Sequence, residues 1–212
     1  MGSGEMKDVT VAILAGGNST RFGSMKALVE FNGKPLLLHM LQIARRISDN
    51  VLIALSNDNQ MNQITSLLKD VKVVCDPDDE ERAALTGALT AFEHTETKYT
   101  LLLPVDTPLA NVDLLKLLLE FRTGHGAVVP SWPSGYIEPL HSVYLAEHAY
   151  ALGLDLVDKG VYKMSELLRK IHQVLYVSTE ALKQFDTDLS TFKNFNTPKD
   201  LKSFENQYKR VK

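Results

Sequence analysis

Short runs of β-branched and apolar residues alternate along the chain with longer amphipathic stretches. Apolar runs of about five residues that are bounded by Gly, Asn, Asp or Pro are typical of buried strands. One such run lies directly before a glycine-rich loop. The pattern predicts strands at Thr10–Leu14, Val51–Leu55, Val71–Val74, Thr100–Val105, Ala127–Val129, Leu140–Tyr144 and Val174–Val177.

The longer stretches carry apolar residues at helical spacing. Pro35 is predicted to open the first helix, because proline suits the first helical position. Thr197 is predicted to cap a last helix, with Pro198 in its first turn and Asp200 favouring the helix dipole. The helices between these two are predicted at Gln60–Lys69, Arg82–Phe92, Val112–Arg122, Glu147–Leu156 and Val161–Ile171.

Strands separated by helices predict βαβ units and a mostly parallel sheet with helices on both faces. We therefore expect one three-layer α/β/α domain with a Rossmann-like sheet over residues 1–212, of which residues 1–6 are interpreted as tag-derived or disordered. Ligands of such sheets bind outside the carboxyl ends of the strands. Two candidate sites follow strands in this way: the loop after Leu14 and the segment at Asp106.

Composition narrows the functional classes. The chain has 212 residues and a net charge of −3, which gives no support to a general nucleic-acid or membrane-surface role. Cys75 is the single cysteine, so neither an internal disulfide nor a cysteine zinc site is expected. No apolar run is long enough for a membrane helix, and the polar N-terminal residues lack the apolar stretch typical of a signal peptide. A cytoplasmic location is the expectation.

The loop from Leu14 to Gly23 is the strongest candidate for a phosphate site. Gly16 and Gly17 allow the backbone N–H groups to approach a phosphate closely, and Arg21 and Lys26 supply positive charge. The loop is neither a Walker A motif nor a dinucleotide G-x-G-x-x-G motif. The structural alternative is a flexible turn with solvated basic residues.

Two aspartates follow predicted strands. Asp106 precedes Thr-Pro at the end of the fourth strand and is well placed to hold a hard cation such as Mg²⁺ against triphosphate oxygens. Asp76 ends the third strand before Pro77. Asp and Pro also start ordinary turns, and that alternative stays open for both residues.

These motifs resemble those of the molybdenum cofactor guanylyltransferases of the MobA type. The shared features are Leu14-Ala15-Gly16-Gly17, then Arg21 and Lys26, and then Gly33-Lys34-Pro35-Leu36 opening a helix. A thinner likeness extends through Asp106-Thr107-Pro108, Glu138-Pro139-Leu140-His141 and Asn194-Phe195-Asn196. The resemblance implies a fold of the nucleotide-diphospho-sugar transferase type. It also implies nucleotide binding in the N-terminal half and acceptor binding in the C-terminal half.

The resemblance assigns further residues to the site. It places Leu14, Ala15, Asp76 and Gly87 beside the nucleotide, with Ser56 or Asn57 at a position where the family tends to have an amide. It places Asn194 and Asn196 near the active site, and Glu138 and His141 on the acceptor side, on a strand. Each assignment has a structural alternative, such as a capped turn at Asn57, close helix packing at Gly87, or a hydrogen-bonding role for His141.

Two positions depart from the family pattern. Met25 stands where the family usually has Asp, so a negative charge beside the phosphates is missing. Ser56 replaces the amide, which bears on the choice of base.

The resulting hypothesis is Mg²⁺-dependent transfer of GMP from GTP to molybdopterin, with pyrophosphate as the second product. Gly16, Gly17 and Arg21 would hold phosphates, Lys26 would neutralise the α-phosphate, and Asp106 would hold the metal. Cofactor-handling proteins are possible partners. The alternatives are a cytidylyl- or sugar-phosphate nucleotidyltransferase, and a nucleotide-binding homologue without turnover.

Overall fold

The computed structural model describes residues 6–16, 18–19, 24–68, 70–77, 81, 83–197, 200–201 and 204, with the backbone alone at 18, 19 and 24. Gly17, Arg21 and residues 1–5 of the proposed tag segment 1–6 lie outside the described residues. In the part of the chain described, no helix is long and apolar enough to cross a membrane.

Seven strands form the central sheet. They are β1 (Val9–Leu14), β6 (Val51–Leu55), β7 (Lys72–Cys75), β8 (Tyr99–Pro104), β9 (Ala127–Ser131), β10 (Val143–Leu145) and β11 (Val174–Ser178). Their spatial order is β11-β9-β10-β8-β1-β6-β7. β10 runs antiparallel to both of its neighbours, and the other pairings are parallel. The predicted mostly parallel sheet is therefore confirmed.

Helices cover both faces of this sheet. Alternate residues of β1 point to opposite faces: Val11 and Ile13 belong to one apolar core and Ala12 to the other. The first core includes α1 and α4, and the second includes α3, α5 and α6. The helices are α1 (Leu36–Arg45), α2 (Asp58–Ile64), α3 (Ala84–Glu93), α4 (Val112–Glu120), α5 (Ala146–Val157), α6 (Met164–Lys170) and α7 (Thr179–Leu182).

Two short hairpins connect β1 to α1. One joins β2 (Asn18–Ser19) to β3 (Ser24–Met25), and the other joins β4 (Glu30–Phe31) to β5 (Lys34–Pro35). The second hairpin turns at Asn32 and Gly33, both at positive φ, as an Asn-Gly hairpin turn requires. A 3₁₀ turn at Lys26–Leu28 lies between the hairpins and fixes the position of Lys26.

Some predicted elements were wrong in their bounds. The strand predicted at Leu140–Tyr144 is a 3₁₀ helix at Pro139–His141 followed by β10, so His141 does not lie on a strand. Pro139 is the reason: it has no N–H for a strand ladder and occupies the start of the 3₁₀ turn. The helix predicted at Gln60–Lys69 begins at Asp58, two residues earlier, and ends as a 3₁₀ turn.

The predicted cap at Thr197 is confirmed. The Asp200 N–H donates to Thr197 Oγ1 at 3.2 Å, and the Thr197 N–H donates to Asp200 Oδ2 at 2.8 Å. This reciprocal pair is a capping box. Asp200 Oδ2 also accepts from the Asn196 N–H at 3.0 Å, so the cap fixes the segment that carries Asn196.

Candidate active site

A cavity of about 470 Å³ lies at the carboxyl edge of the sheet. The ends of four neighbouring strands, β1, β6, β7 and β8, reach it because parallel strands end at the same edge. The N-terminus of α3 closes one side. The lining residues are Leu14, Gly16, Lys26, Ala54, Ser56, Asp76, Ala83, Ala84, Gly87, Pro104, Val105, Asp106 and Leu140.

Gly16 lies against the end of β6. A Cβ on Gly16 would collide with the Oγ and backbone nitrogen of Ser56, so only glycine allows this approach. The Ser56 hydroxyl donates to the Gly16 carbonyl at 2.5 Å, and Gln60 Nε2 donates to the same oxygen at 3.1 Å. Gln60 Oε1 in turn accepts from the Ser56 N–H at 2.9 Å. The start of the glycine-rich loop is therefore held by a serine and a buried amide.

Lys26 joins three distant parts of the chain. Its Nζ lies 2.5 Å from Asp106 Oδ2 and donates to Asn196 Oδ1 at 2.9 Å. The Lys26 and Asp106 side chains are each 14% exposed, so the ion pair is shielded from bulk water but still reaches the cavity. The Phe195 N–H also donates to the Asp106 carbonyl at 2.9 Å. The late Asn-Phe-Asn segment is thereby tied to the end of β8.

Asp76 faces the cavity from the end of β7. Its Oδ1 accepts from the Thr90 hydroxyl at 2.7 Å, which orients the carboxylate. A Cβ on Gly87 would come within 4.0 Å of Asp76 Oδ2, an ordinary contact, so Gly87 lies beside this carboxylate on α3. Among the residues that the structure describes, no side chain caps the N-terminus of α3, and Ala83 and Ala84 there line the cavity. Uncapped N–H groups at a helix start suit an electronegative ligand.

A second cavity of about 410 Å³ adjoins the first and shares Asp106 with it. Its polar residues come from the segment before β10, from the two residues before α6 and from the late asparagine segment. They include Tyr136, Glu138, His141, Tyr162, Lys163 and Asn194. Asp106 therefore stands between two cavities, as a group that joins two substrates would need to.

Burial shifts the pKa of two groups in the second cavity. Burial lowers the pKa of His141 to about 3, so this imidazole is neutral at physiological pH. Burial also raises the pKa of Glu138, and a hydrogen bond from Trp132 opposes that shift. The Trp132 Nε1–H donates to Glu138 Oε1 at 2.8 Å.

The residues assigned from the sequence fall into clear groups. One cavity is lined by Leu14, Gly16, Lys26, Ser56, Asp76, Gly87 and Asp106, and the other by Glu138, His141, Asn194 and Asp106. Asn196 contacts Lys26. Ala15 is buried in the core. Gly17 and Arg21 lie outside the described residues.

The structure explains the two departures from the family pattern, at Ser56 and at Met25. The Asn57 side chain caps α2 by accepting from the Gln60 N–H at 3.1 Å, and it does not line the described cavity. Gln60 supplies the buried amide next to Ser56 instead. Met25 is 7% exposed and packs in the apolar core, so its side chain does not face the cavity.

Sequence reasoning missed four contributors: Gln60, Thr90, Trp132 and Tyr136. Gln60 and Thr90 are polar residues within helical patterns, where nothing in the sequence separates a buried hydrogen-bonding side chain from a solvated one. Trp132 and Tyr136 lie in a turn-rich stretch whose shape the sequence does not define. Trp132 is the single tryptophan of the chain, and this was the one sequence signal that could have drawn attention to the stretch.

The donor set at Asp106 is consistent with Mg²⁺. Among the residues that the structure describes, no three His, Cys, Asp or Glu side chains converge closely enough to hold a metal together. Mg²⁺ needs no such cluster, since it is commonly held by one or two carboxylates together with substrate phosphates and water. Asp106 is a carboxylate at the edge of the nucleotide-sized cavity and can supply that protein ligand.

The cavity lies outside the carboxyl ends of a mainly parallel sheet and is lined by Gly16, Lys26 and Asp106. This arrangement defines the class of protein. It is that of α/β proteins that bind and transfer phosphorylated ligands.

Comparison with known proteins identifies the family. The profile of the MobA-like NTP transferase domain matches residues 11–174. The chain belongs to this family of nucleotidyltransferases, which confirms the predicted enzyme class.

Three relatives show the extent of the likeness. A protein of Pyrococcus horikoshii assigned as a molybdenum cofactor guanylyltransferase is 33% identical over 175 residues, covering 81% of this chain and 86% of that protein. The molybdenum cofactor guanylyltransferase of Pseudomonas entomophila is 28% identical over 196 residues, covering 89% and 94%. The crystal structure of molybdopterin-guanine dinucleotide biosynthesis protein A from Archaeoglobus fulgidus is 26% identical, with a TM-score of 0.81 over 95% and 99% of the two chains. The predicted fold type is thereby confirmed.

Proposed function

We propose that this protein transfers GMP from GTP to the phosphate of molybdopterin, forming the guanine dinucleotide cofactor and pyrophosphate. The observation that carries the proposal is the Lys26–Asp106 pair at the junction of two cavities. One cavity has the features of a triphosphate site, and the other is free to receive the acceptor. The names of the relatives support guanylyl transfer to this acceptor.

The transfer requires little proton movement. An oxygen of the acceptor phosphate forms a bond to the α-phosphorus of GTP, and the bond to the bridging oxygen of pyrophosphate breaks. The protein then contributes mainly by positioning the reactants and neutralising charge. Lys26 neutralises charge at the α-phosphate and, through Asn196, stays aligned with Asp106.

Other groups hold the nucleotide. The backbone at Gly16 approaches the phosphates, with Arg21 as a further cation. Asp76, oriented by Thr90, and the N-terminus of α3 with Gly87 contact the nucleoside. Mg²⁺, held by Asp106, would offset the charge of the triphosphate and of the leaving pyrophosphate.

A titration and an assay test the proposal together. We expect calorimetry with GTP, CTP, ATP and UTP in Mg²⁺ to show GTP as the tightest ligand. We expect pyrophosphate release only when molybdopterin is also present. Preference for CTP would replace the guanylyl assignment by a cytidylyl one. GTP binding without pyrophosphate release would indicate a nucleotide-binding homologue without turnover.

The cytoplasmic location and an association with cofactor-handling proteins stay predictions. Localisation of the tagged full chain and co-purification with enzymes that use the product would test them.

A further inference from the structure

The backbone around Glu138 is fixed from several directions. The Glu138 N–H donates to the Pro130 carbonyl at 3.0 Å, and the Glu138 carbonyl accepts from the Ser142 hydroxyl at 2.7 Å. The preceding loop closes on itself through a hydrogen bond of 2.8 Å from the Trp132 N–H to the Tyr136 carbonyl. Glu138 is thus presented to the second cavity by a rigid loop.

The two carboxylate oxygens of Glu138 have different surroundings. Oε1 accepts from the Trp132 indole, while Oε2 lies 3.8 Å from His141 Nδ1, beyond hydrogen-bond distance. His141 Nε2 lies 3.3 Å from Thr107 Oγ1, and the Thr107 hydroxyl donates its proton to the Pro104 carbonyl at 3.1 Å. Nε2 is therefore the protonated nitrogen of His141.

It follows that His141 Nδ1 carries a lone pair. This nitrogen is buried and, in the part of the chain described, has no hydrogen-bond partner. His141 thus cannot donate to Glu138, and Oε2 remains an acceptor at the wall of the cavity. The Glu138 side chain is 12% exposed, so Oε2 reaches the cavity, where N–H groups of a ligand can replace water as its hydrogen-bond donors.

The rest of the cavity suits a flat, polar heterocycle. Tyr136 and Tyr162 line it, and Tyr136 is 62% exposed, so its ring is available for stacking. Pro139, Leu140 and Met164 add apolar surface. A volume of about 410 Å³ accommodates a bicyclic ring with its substituents.

We propose that Glu138 recognises the pterin ring of the acceptor by accepting hydrogen bonds at Oε2 from its ring N–H and exocyclic 2-amino group. This assignment rests on the proposed function for the identity of the acceptor. A carboxylate accepts hydrogen bonds only, and adjacent N–H donors satisfy it strongly. Guanine presents the same pair of donors, but Glu138 lines only the second cavity, whereas Gly16 lines only the first. Glu138 therefore selects the acceptor and not the base of GTP.

Calorimetry with two pteridines tests this inference on the full chain. Pterin carries the 2-amino group, whereas lumazine has an oxygen in its place. We expect the native protein to bind pterin at least about tenfold more tightly than lumazine, since one charge-assisted hydrogen bond is at stake. Glu138→Gln keeps an oxygen for Trp132 but presents an amide to the ligand, and should abolish that preference. Glu147→Gln, on an exposed acid at the start of α5, is the matched control and should retain it.

Several outcomes overturn the inference. Equal binding of pterin and lumazine to the native protein would do so, as would no binding of pterin. An unchanged preference in a folded Glu138→Gln variant, verified by its melting temperature, would also contradict it. If Glu138→Gln binds GTP more weakly than the native protein but binds pterin equally well, Glu138 contacts guanine and the inference is wrong. Pterin selectivity that depends on Glu138 in a protein that releases no pyrophosphate would support the inference while the proposed function failed.

Discussion

Lys26 Nζ and Asp106 Oδ2 lie 2.5 Å apart although the residues are 80 positions apart in the chain. The 3₁₀ turn after β3 carries the lysine, and the end of β8 carries the aspartate. Asn196 holds the lysine from a third direction at 2.9 Å. This arrangement keeps a cation and a carboxylate at the boundary of two cavities, where charge must be balanced during phosphoryl chemistry.

Replacing Lys26 with Met should remove the charge while keeping much of the stem. We expect turnover to fall about 10²- to 10³-fold, because the positive charge stabilises charge that grows on the α-phosphate. GTP affinity should fall as well. Steady-state pyrophosphate release and calorimetry measure both. Lys159→Met, at a side chain that is 60% exposed, is the control and should behave like the native protein.

Gly16 and Gly87 form a matched pair for alanine substitution. Gly16→Ala should destabilise the protein by about 1–3 kcal/mol and weaken GTP binding, because the new Cβ collides with Ser56. Gly87→Ala should leave stability unchanged or raise it by up to about 1 kcal/mol, since the position is helical and its Cβ meets only an ordinary contact. Urea unfolding distinguishes the two. Equal stability of both variants would refute the close approach at Gly16.

The Thr90 hydroxyl orients Asp76 and can be removed without changing volume. Thr90→Val should weaken GTP binding by about fivefold, because the loss of one hydrogen bond of about 1 kcal/mol leaves the carboxylate misaligned. Thr90→Ser keeps the hydroxyl and should retain most of the affinity. Identical GTP affinities for the two variants would indicate that Asp76 does not depend on Thr90, or that it does not contact the nucleotide.

The buried His141 should make stability depend on pH. Its pKa lies at about 3 in the folded protein and near 6.5 when unfolded, so the unfolded chain binds the proton first. The contribution of neutral His141 to the free energy of unfolding is fully present above about pH 6.5. It is lost as the pH falls from about 6.5 towards 3, by at most about 1.4 kcal/mol per pH unit. The raised pKa of Glu138 acts in the opposite direction, since it favours protonation of the folded state.

Urea unfolding of the native protein and of His141→Gln at several pH values tests this expectation. The free energy of unfolding of the native protein should fall relative to that of His141→Gln as the pH is lowered. His172→Gln, at an exposed histidine, is the control. A difference between native and His141→Gln that stays constant from pH 7 to pH 4 would contradict the neutral, buried assignment.

The sheet was predictable because its central strands are apolar runs with turn residues at both ends. Runs such as Thr10–Leu14 and Val51–Leu55 are buried on both faces, which leaves a continuous signal in the sequence. The start of the strand predicted at Leu140–Tyr144 was wrong, because an apolar pattern does not show that Pro139 begins a 3₁₀ turn. The helix α7, with four residues, is too short to leave a periodic signal.

The candidate site was predictable only where a residue type is itself informative. Gly16, Lys26 and Asp106 stand next to strand ends, and a strand end is where ligands of such a sheet bind. Gln60 contacts Gly16, which is distant from it in the sequence, and Trp132 contacts Glu138 across a turn-rich loop. Both contacts depend on the packed structure. Met25 was noted only because it replaces an Asp of the family pattern, and its burial in the apolar core could not be predicted from that comparison.

Asp106→Asn provides the most direct test of the central claim. The amide keeps the shape of the side chain but loses the charge that pairs with Lys26 and would hold Mg²⁺. The measurement is the rate of pyrophosphate release with GTP, Mg²⁺ and molybdopterin, with Asp113→Asn in the first turn of α4 as the control. We predict a loss of at least about 10²-fold for Asp106→Asn with an unchanged melting profile, and a native rate for the control. A native rate for Asp106→Asn would contradict the account.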